Sequence, residues 1–470
     1  MRIRERVAST LGNVLHPLTA RLLPGWVDPA ALFATLEQRS NEVFWLDAGD
    51  SPVGGWSFVG EGVRADAGPG GVVVDSASRG GTESPSREEL PPFRGGWVGW
   101  LDYESGAAAA GAPVAHSELS EAQGGDWMRV TRAVAFDHRR RRVWALAAEP
   151  ELEAWSETVG TSNFSGAKVP QALTSAQTGS AATRWERTAV ARDTPVAYAA
   201  LIERCRQIIR AGLAYQLCLT TRFMVPGEHD AVDAYLRLRT ATPAHHGGFV
   251  RIGARALLSA SPEQFLHASG GVLRTRPIKG TRPRGSDPVE DAALAAELAA
   301  SAKERAENVM IVDLMRNDLS RVSEPGTIRV EGLWEVESYP AVHQLVSTVS
   351  GRAVAGLTVD ELLGATFPAG SMTGAPKLSA MTQLHALEEG PRGVFAGCFG
   401  YVGVDGTLDL AMVIRSILID ADGATVGAGG GITWGSVPAD EVAEVATKAR
   451  APLAALGAVL PADWRSDILT

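Results

Sequence analysis

The chain has 470 residues, with 44 Lys and Arg against 54 Asp and Glu, for a net charge of −10. An acidic chain is a poor candidate for wrapping nucleic acid, because phosphate binding wants a cationic surface. Hydrophobic residues make up 45% and charged residues 21%, the profile of a globular protein long enough to bury a large core without staples.

From the N-terminus, Met1–Arg6 is charged and the following stretch is broken by His16-Pro17 and Pro24-Gly25, so no secretory signal is read. No run reaches the ~18 uninterrupted apolar residues of a membrane span. Short β-type runs with glycine punctuation occupy 45–60 and 93–104. Residues 130–135 and 142–147 flank Asp137-His138-Arg139, which reads as a hairpin tip. The four arginines 139–142 read as a solvated turn rather than a nucleic-acid patch.

From about 156 to 184 the composition turns to Ser, Thr, Gly, Ala and Gln, which is linker chemistry. It predicts a β-rich N-terminal subdomain over 1–150, a linker over 151–190 and a catalytic domain over 191–460. Asp193-Thr194-Pro195 then opens a helix whose face carries Tyr198, Leu201, Ile202, Cys205, Ile208 and Ile209, closed by Gly212. Strands are expected at about 215–223, 247–252, 255–260, 264–268 and 272–278, and one helical block at 289–320. A helix from Pro376 to near Gly390 follows, then strands at 394–404, 407–420 and 424–428. A last helix starts at Pro438 and runs toward 457. Hairpin-like strand pairs interrupted by helical blocks predict an α+β fold with antiparallel sheet. Cys205, Cys218 and Cys398 are too few and scattered for a disulfide framework or a CxxC zinc site, so a reducing, cytoplasmic home is expected.

Three constellations could carry chemistry. Glu304 and Glu307, and again Glu441 and Glu444, lie three apart on predicted helices, so each pair shares a face. Two such faces opposed would make an oxygen-only cage suited to Mg²⁺; two salt-bridged surface helices are the plainer alternative. The run Gly427–Gly431 after a predicted strand is either an anion-binding backbone nest or a bare glycine turn. It is neither a Walker loop nor a dinucleotide fingerprint, since no Gly-Lys-Ser/Thr and no helix follow. Residues 274–285 concentrate five cations around Lys279, with Glu263 sixteen residues upstream of it. If the intervening strands form a hairpin, Glu263 and Lys279 converge on one cleft. A lysine near other cations becomes a better nucleophile, and a desolvated glutamate a general acid. Each alone also fits a surface ion pair.

Taken together, these motifs resemble the chorismate-utilising enzymes, a family that includes anthranilate, aminodeoxychorismate, isochorismate and salicylate synthases. The carrying segments are Arg276-Pro-Ile-Lys-Gly-Thr-Arg282, the run from Glu307 to Asp318, Pro340 to Ser347, Phe367 to Lys377, Ala411 to Ser416 and Gly427 to Gly431. The resemblance implies an antiparallel β-sandwich with outer helices and an active site between the sheets. It implies Mg²⁺ held directly by Glu307 and Glu444, with Glu304 and Glu441 holding its water shell. Arg415 then matches the arginine that binds a substrate carboxylate, Gly429, Gly430 and Gly431 the backbone donors, and Ser371 and Lys448 further polar contacts. Gly280, Thr281 and Gln216 complete the expected substrate site.

Within the family, Gln216 stands where the water-adding members have an activating lysine, and an amide cannot act as a base. Lys279 stands where anthranilate synthases usually have alanine and aminodeoxychorismate synthases have lysine. The resemblance therefore implies amination of chorismate at C4, with Lys279 as nucleophile and Glu263 as acid, on the way to para-aminobenzoate and folate or to a specialised aromatic metabolite. It also implies ammonia from a separate glutamine amidotransferase, because Cys398 lacks a domain to hold a glutaminase triad. The competing expectations are anthranilate synthesis and a silent subunit that binds chorismate without turnover. In relatives, the segment matching Leu46–Phe58 binds tryptophan; the likeness there is loose.

Overall fold

The computed structural model describes residues 16–49, 55–74, 90–115, 125–161 and 187–465. Two antiparallel sheets dominate it. The first runs from Thr19–Leu22 through Arg142–Ala147, Asp126–Asp137, Trp56–Arg64 and Glu42–Asp47 to His246–Ile252. It continues through Arg255–Ser261, Ser416–Asp420 and Gly423–Ile432 to Gln216–Pro226. The second runs from Gly96–Leu101 through Cys398–Gly403, Leu408–Met412, Gln264–Ser269 and Val272–Thr275 to Val342–Arg352. The twelve-residue strand Asp126–Asp137 pairs with members of both and joins them.

Between the sheets lies a core rich in aromatics, with Phe44, Phe58, Phe93, Trp100, Phe399 and Tyr401 all buried. Alternating side chains from two inner faces are what fill such a sandwich. Helices cover the outer faces. Pro195–Arg210 presents Tyr198, Ile202 and Cys205 inward, as its spacing predicts, and Thr194 caps its first turn. Pro438–Ala455 packs Val442, Val445, Ala446 and Ala449 into the same cluster as Tyr198, Ile202 and Cys205, separate from the aromatic core between the sheets. This is the α+β sandwich with outer helices that the sequence pattern and the resemblance predict.

Four local expectations need correction. The helical block at 289–320 is two helices, Pro288–Ala300 and Ala302–Ser320. Ser301 breaks it: its backbone is extended, and its hydroxyl accepts from Glu304 N to cap the second helix. The strand expected at 272–278 divides into Val272–Thr275 and Ile278–Pro283. Tyr103–Ala109, the end of an expected β run, is a helix. The linker-like stretch is helical up to Thr161 and extended again from Arg187, while 162–186 lie outside the described residues. The charged N-terminal stretch and part of the Leu46–Phe58 segment also lie outside them. Among the described residues, no helix is long and apolar enough to cross a membrane.

Candidate active site

Lys279 and Glu263 come within electrostatic reach of one another because the chain between them folds back. Gln264–Ser269 and Val272–Thr275 form a hairpin, with His267 opposite Arg274 and Ser269 opposite Val272. Glu263 precedes the hairpin and Lys279 follows it. Glu263 is buried, and burial pushes its carboxyl above the ordinary range, with Lys279 foremost among the groups that oppose the shift. Ser371, in the short turn Gly370–Met372, is buried and faces Glu263, where its hydroxyl also opposes the upward shift.

The cations around Lys279 are not a free cluster. Arg274 pairs with Glu331 at 3.1 Å, Arg282 with Glu297 at 2.7 Å, Arg284 with Asp291 at 2.6 Å, and Arg276 with Glu337. Each arginine of 274–285 is therefore paired with a carboxylate, and the Lys279 charge acts on Glu263, Glu307, Glu444 and buried Cys218.

The glycine run is not a turn after a strand. Residues Gly423–Ile432 form one strand, paired along its length with Gln216–Pro226 from Gly423 opposite Pro226 to Ile432 opposite Leu217. No glycine from 427 to 431 has a positive φ, so the alternation that makes an anion-binding nest is absent. Two features take its place. On the other side, pairing with Ser416–Asp420 stops at Val426, which leaves one backbone edge open beyond it. The missing side chains also leave room on both faces. A Cβ on Gly431 would collide with the Gln216 amide and sit 3.4 Å from Lys279 Nζ. A Cβ on Gly430 would lie 2.9 Å from Glu441 Oε2 and 3.9 Å from Glu444 Oε1. Gln216 is fully buried, and neither of its amide atoms has a partner.

The two glutamate helices face each other electrostatically. Burial pushes Glu307 up, Lys279 and Lys303 oppose this, and Glu304 and Glu441 add to it. Burial likewise pushes Glu441 up, with Ser436 opposing and Glu444 adding. Burial also acts upward on Glu444, but Lys448, with Lys279 and Lys303 behind it, holds the carboxyl below its ordinary range. Glu304 lies 3.5 Å from Arg282 and against Gly280, whose φ of +89° only glycine adopts readily. Among the described residues no three His, Cys, Asp or Glu side chains converge as a closed metal cluster. The donor set still fits Mg²⁺: it is all oxygen, Glu307 and Glu441 are raised by burial and by neighbouring glutamates, and Mg²⁺ takes only one or two direct carboxylates and keeps waters.

Arg415 has a positive φ of 52°, a strained backbone that persists only where the surroundings impose it. Burial lowers its guanidinium and Glu444 opposes the shift. Lys448 donates to Gly429 O at 2.8 Å and pairs with Glu444 at 2.5 Å, so its amine is committed to the strand and the carboxylate. Thr281 is exposed, opposite buried Gln344 in the ladder.

Sequence reasoning missed the support beneath the site. Arg392 and Glu388 form a buried bidentate pair, 2.7 and 2.8 Å. Glu388 accepts from Thr220 N and Oγ1, both at 2.9 Å, and Arg392 donates to Cys218 O at 2.9 Å and Met372 O at 2.7 Å. The pair ties the Gln216 strand to the turn that carries Ser371. Lys377 similarly bonds Asp318 at 2.6 Å and Thr366 O at 3.0 Å. Both of these residues fall within recognisable motifs, which was the available signal.

Comparison with known proteins agrees with this architecture. A family described as chorismate binding enzyme matches residues 71–454. An aminodeoxychorismate synthase of Streptomyces pristinaespiralis is 38% identical over 91% of this chain and 64% of its own length. The chain therefore spans less than two thirds of that relative. Anthranilate synthase component 1 of Streptomyces coelicolor is 36% identical over 94% of this chain and 88% of its own. Among solved structures, anthranilate synthase component I of Streptococcus pneumoniae matches with a TM-score of 0.64 at 25% identity, covering 94% of each chain. On the strength of a match over most of its length, the chain belongs to the chorismate binding enzyme family.

Proposed function

We propose that the protein aminates chorismate at C4 to give 4-amino-4-deoxychorismate, using ammonia supplied by a separate glutamine amidotransferase subunit. The observation that carries this reading is Lys279. Its amine acts electrostatically on buried Glu263 and lies over Gly431, whose missing side chain leaves room for it and for the Gln216 amide. The relatives named aminodeoxychorismate synthase support the same reading.

Arg415, whose guanidinium has no hydrogen-bond partner among the described residues, is placed to take a substrate carboxylate. The open backbone edge beyond Val426 offers N–H donors beside it. Glu307 and Glu444 would hold Mg²⁺ directly, with Glu304 and Glu441 turned toward its waters. The bound ion would neutralise a carboxylate of a dianionic substrate. Lys279 attacks C2, both ring double bonds shift (C1=C2 and C5=C6 become C1=C6 and C4=C5), and the C4 hydroxyl leaves as water with a proton from Glu263. Ammonia then adds at C4 and gives a proton back to Glu263, both double bonds return to their first positions, and the Lys279 amine leaves C2. Gln216, an amide without a basic nitrogen, does not activate water for attack.

Lys279→Ala tests the assignment. It should lose most 4-amino-4-deoxychorismate formation while still binding chorismate; unchanged product and rate would refute the covalent role. The Streptomyces coelicolor relative favours one competing reading, direct amination at C2 leading to anthranilate. The fluorescence of anthranilate separates the two products in a single assay with chorismate, Mg²⁺ and ammonium.

A further inference from the structure

A second cavity, of about 1190 Å³, opens between the sheets away from Lys279. The strand Gln216–Pro226 serves both places. Gln216 faces the Lys279 pocket, whereas Thr220, Arg222 and Met224 line the second cavity. At ~3.3 Å per residue, Arg222 lies roughly 20 Å along the strand from Gln216. The buried Arg392–Glu388 pair stands between the two.

Most charges around this cavity are satisfied. Asp126 is shared by Arg64 at 2.9 Å and Arg255 at 2.5 Å. Arg192 pairs with Asp193 at 3.0 Å. Glu104 accepts from the backbone N–H groups of Arg392 at 2.6 Å and Gly393 at 3.0 Å. Asp422 also lines the cavity but is exposed to solvent; among the buried and half-buried charges, two are not satisfied. The Arg222 guanidinium is half-buried and has no hydrogen-bond or ion-pair partner among the described residues. It feels Arg192 and, with opposite sign, Asp193 and Glu104, without a hydrogen bond or ion pair to either carboxylate, and Asp193 is already taken by Arg192 and Thr221. Asp102, buried at 8% exposure, has an Oδ1 with no partner. Unpaired buried polar groups of this kind are costly and want a complement.

The two complements differ in chemistry. A guanidinium fork takes a carboxylate in bidentate fashion. A carboxylate oxygen with open lone pairs takes an N–H donor. An inorganic anion would suit Arg222 but face Asp102 and Glu104, and a simple cation would face the arginines. Phe395, Val413 and Leu418 add apolar wall. We propose that this cavity binds an amino carboxylic acid with an apolar body, its carboxylate on Arg222 and its amino group on Asp102. The site is distinct from the reaction centre and does not depend on the reaction proposed above.

Titration calorimetry on the intact chain tests this with two probes, L-phenylalanine and 4-aminobenzoate, which place the amine beside or far from the carboxylate. The wild type should bind one of them, and which one identifies an α-amino acid or an aminoarene acid as the source. Arg222→Gln should weaken that binding by about tenfold or more, the loss of a charged bidentate contact. Asp102→Asn should weaken it too, while leaving the amine-free analogue, hydrocinnamate or benzoate, unaffected. Met224→Trp, which fills the cavity without removing a charge, should abolish it. Lys279→Ala should bind as the wild type does. The proposal is overturned if neither probe binds the wild type, if binding survives both Arg222→Gln and Met224→Trp, or if Lys279→Ala alone removes it.

Discussion

Replacing Gly431 by alanine probes the site with a single methyl group. The new Cβ would fall on the Gln216 amide and within 3.4 Å of Lys279 Nζ. The amide is fully buried, on a residue that pairs with Ala375 on one side and directly precedes Leu217, the last residue paired with the glycine strand, so it has no solvent to move into. It must retreat by about 1 Å, and a displacement of that size at reacting groups costs about 100-fold in rate, or about 2.7 kcal/mol of barrier. Overpacking adds about 1–3 kcal/mol to the loss of stability, which a denaturation midpoint reads separately. Gly430→Ala is the control one residue away. Its Cβ meets the flexible end of Glu441 at 2.9 Å, and that carboxylate can turn aside. It should raise the Mg²⁺ concentration for half-maximal rate and leave the rate at saturating Mg²⁺ within a few-fold. The assay is chorismate consumption at varied Mg²⁺ and saturating ammonium. A folded Gly431→Ala enzyme with a near wild-type kcat would refute the placement of Gln216 and Lys279 over this strand.

Other perturbations have outcomes of their own. Glu307→Gln and Glu444→Gln should weaken Mg²⁺ dependence more than Glu304→Gln, measured as half-saturation by metal; equal effects would contradict the division between direct and water-mediated carboxylates. Arg392→Met leaves Glu388 buried and unpaired, which should destabilise the fold by about 3–5 kcal/mol in chemical denaturation, and a loss below about 1 kcal/mol would contradict the pair's structural role. Burial pushes Glu104 up to about 7 from 4.5, so the folded state holds its proton more tightly than the unfolded one. The stability this contributes is fully present below pH 4.5 and is lost as pH rises through 7, about 3 kcal/mol in all. Denaturation midpoints at pH 5 and pH 8 should differ in that sense, and less so in Glu104→Gln.

What the residue pattern revealed depended on how local the cause was. The convergence of Glu263 and Lys279 was legible because a short hairpin brings them together, and hairpins are local. The i, i+3 glutamate pairs were legible for the same reason, since a helix fixes their common face. The break at Ser301 escaped notice because alanines surround it and no Gly or Pro marks it, although Ser301 with Glu304 has the spacing of a capping box. The glycine run suggested a nest or a turn, and not a strand, because glycine is scarce in strands. Here its missing side chains are what clear space for Gln216, Lys279 and the glutamates. The apparent cation cluster dissolved because the partners of its arginines, Glu331, Glu337, Glu297 and Asp291, are supplied by other segments. The Arg392–Glu388 support was invisible for a related reason. Its partners Thr220, Cys218 and Met372 are distant in sequence, and only the folded sheet assembles them.

The most direct test of the central claim is where the nitrogen goes. The wild-type chain, given chorismate, Mg²⁺ and ¹⁵N-ammonium, should yield a product whose label sits on C4 with the enolpyruvyl side chain intact, as read by mass spectrometry and NMR. Label on C2 with loss of pyruvate would contradict the account and make the protein an anthranilate former.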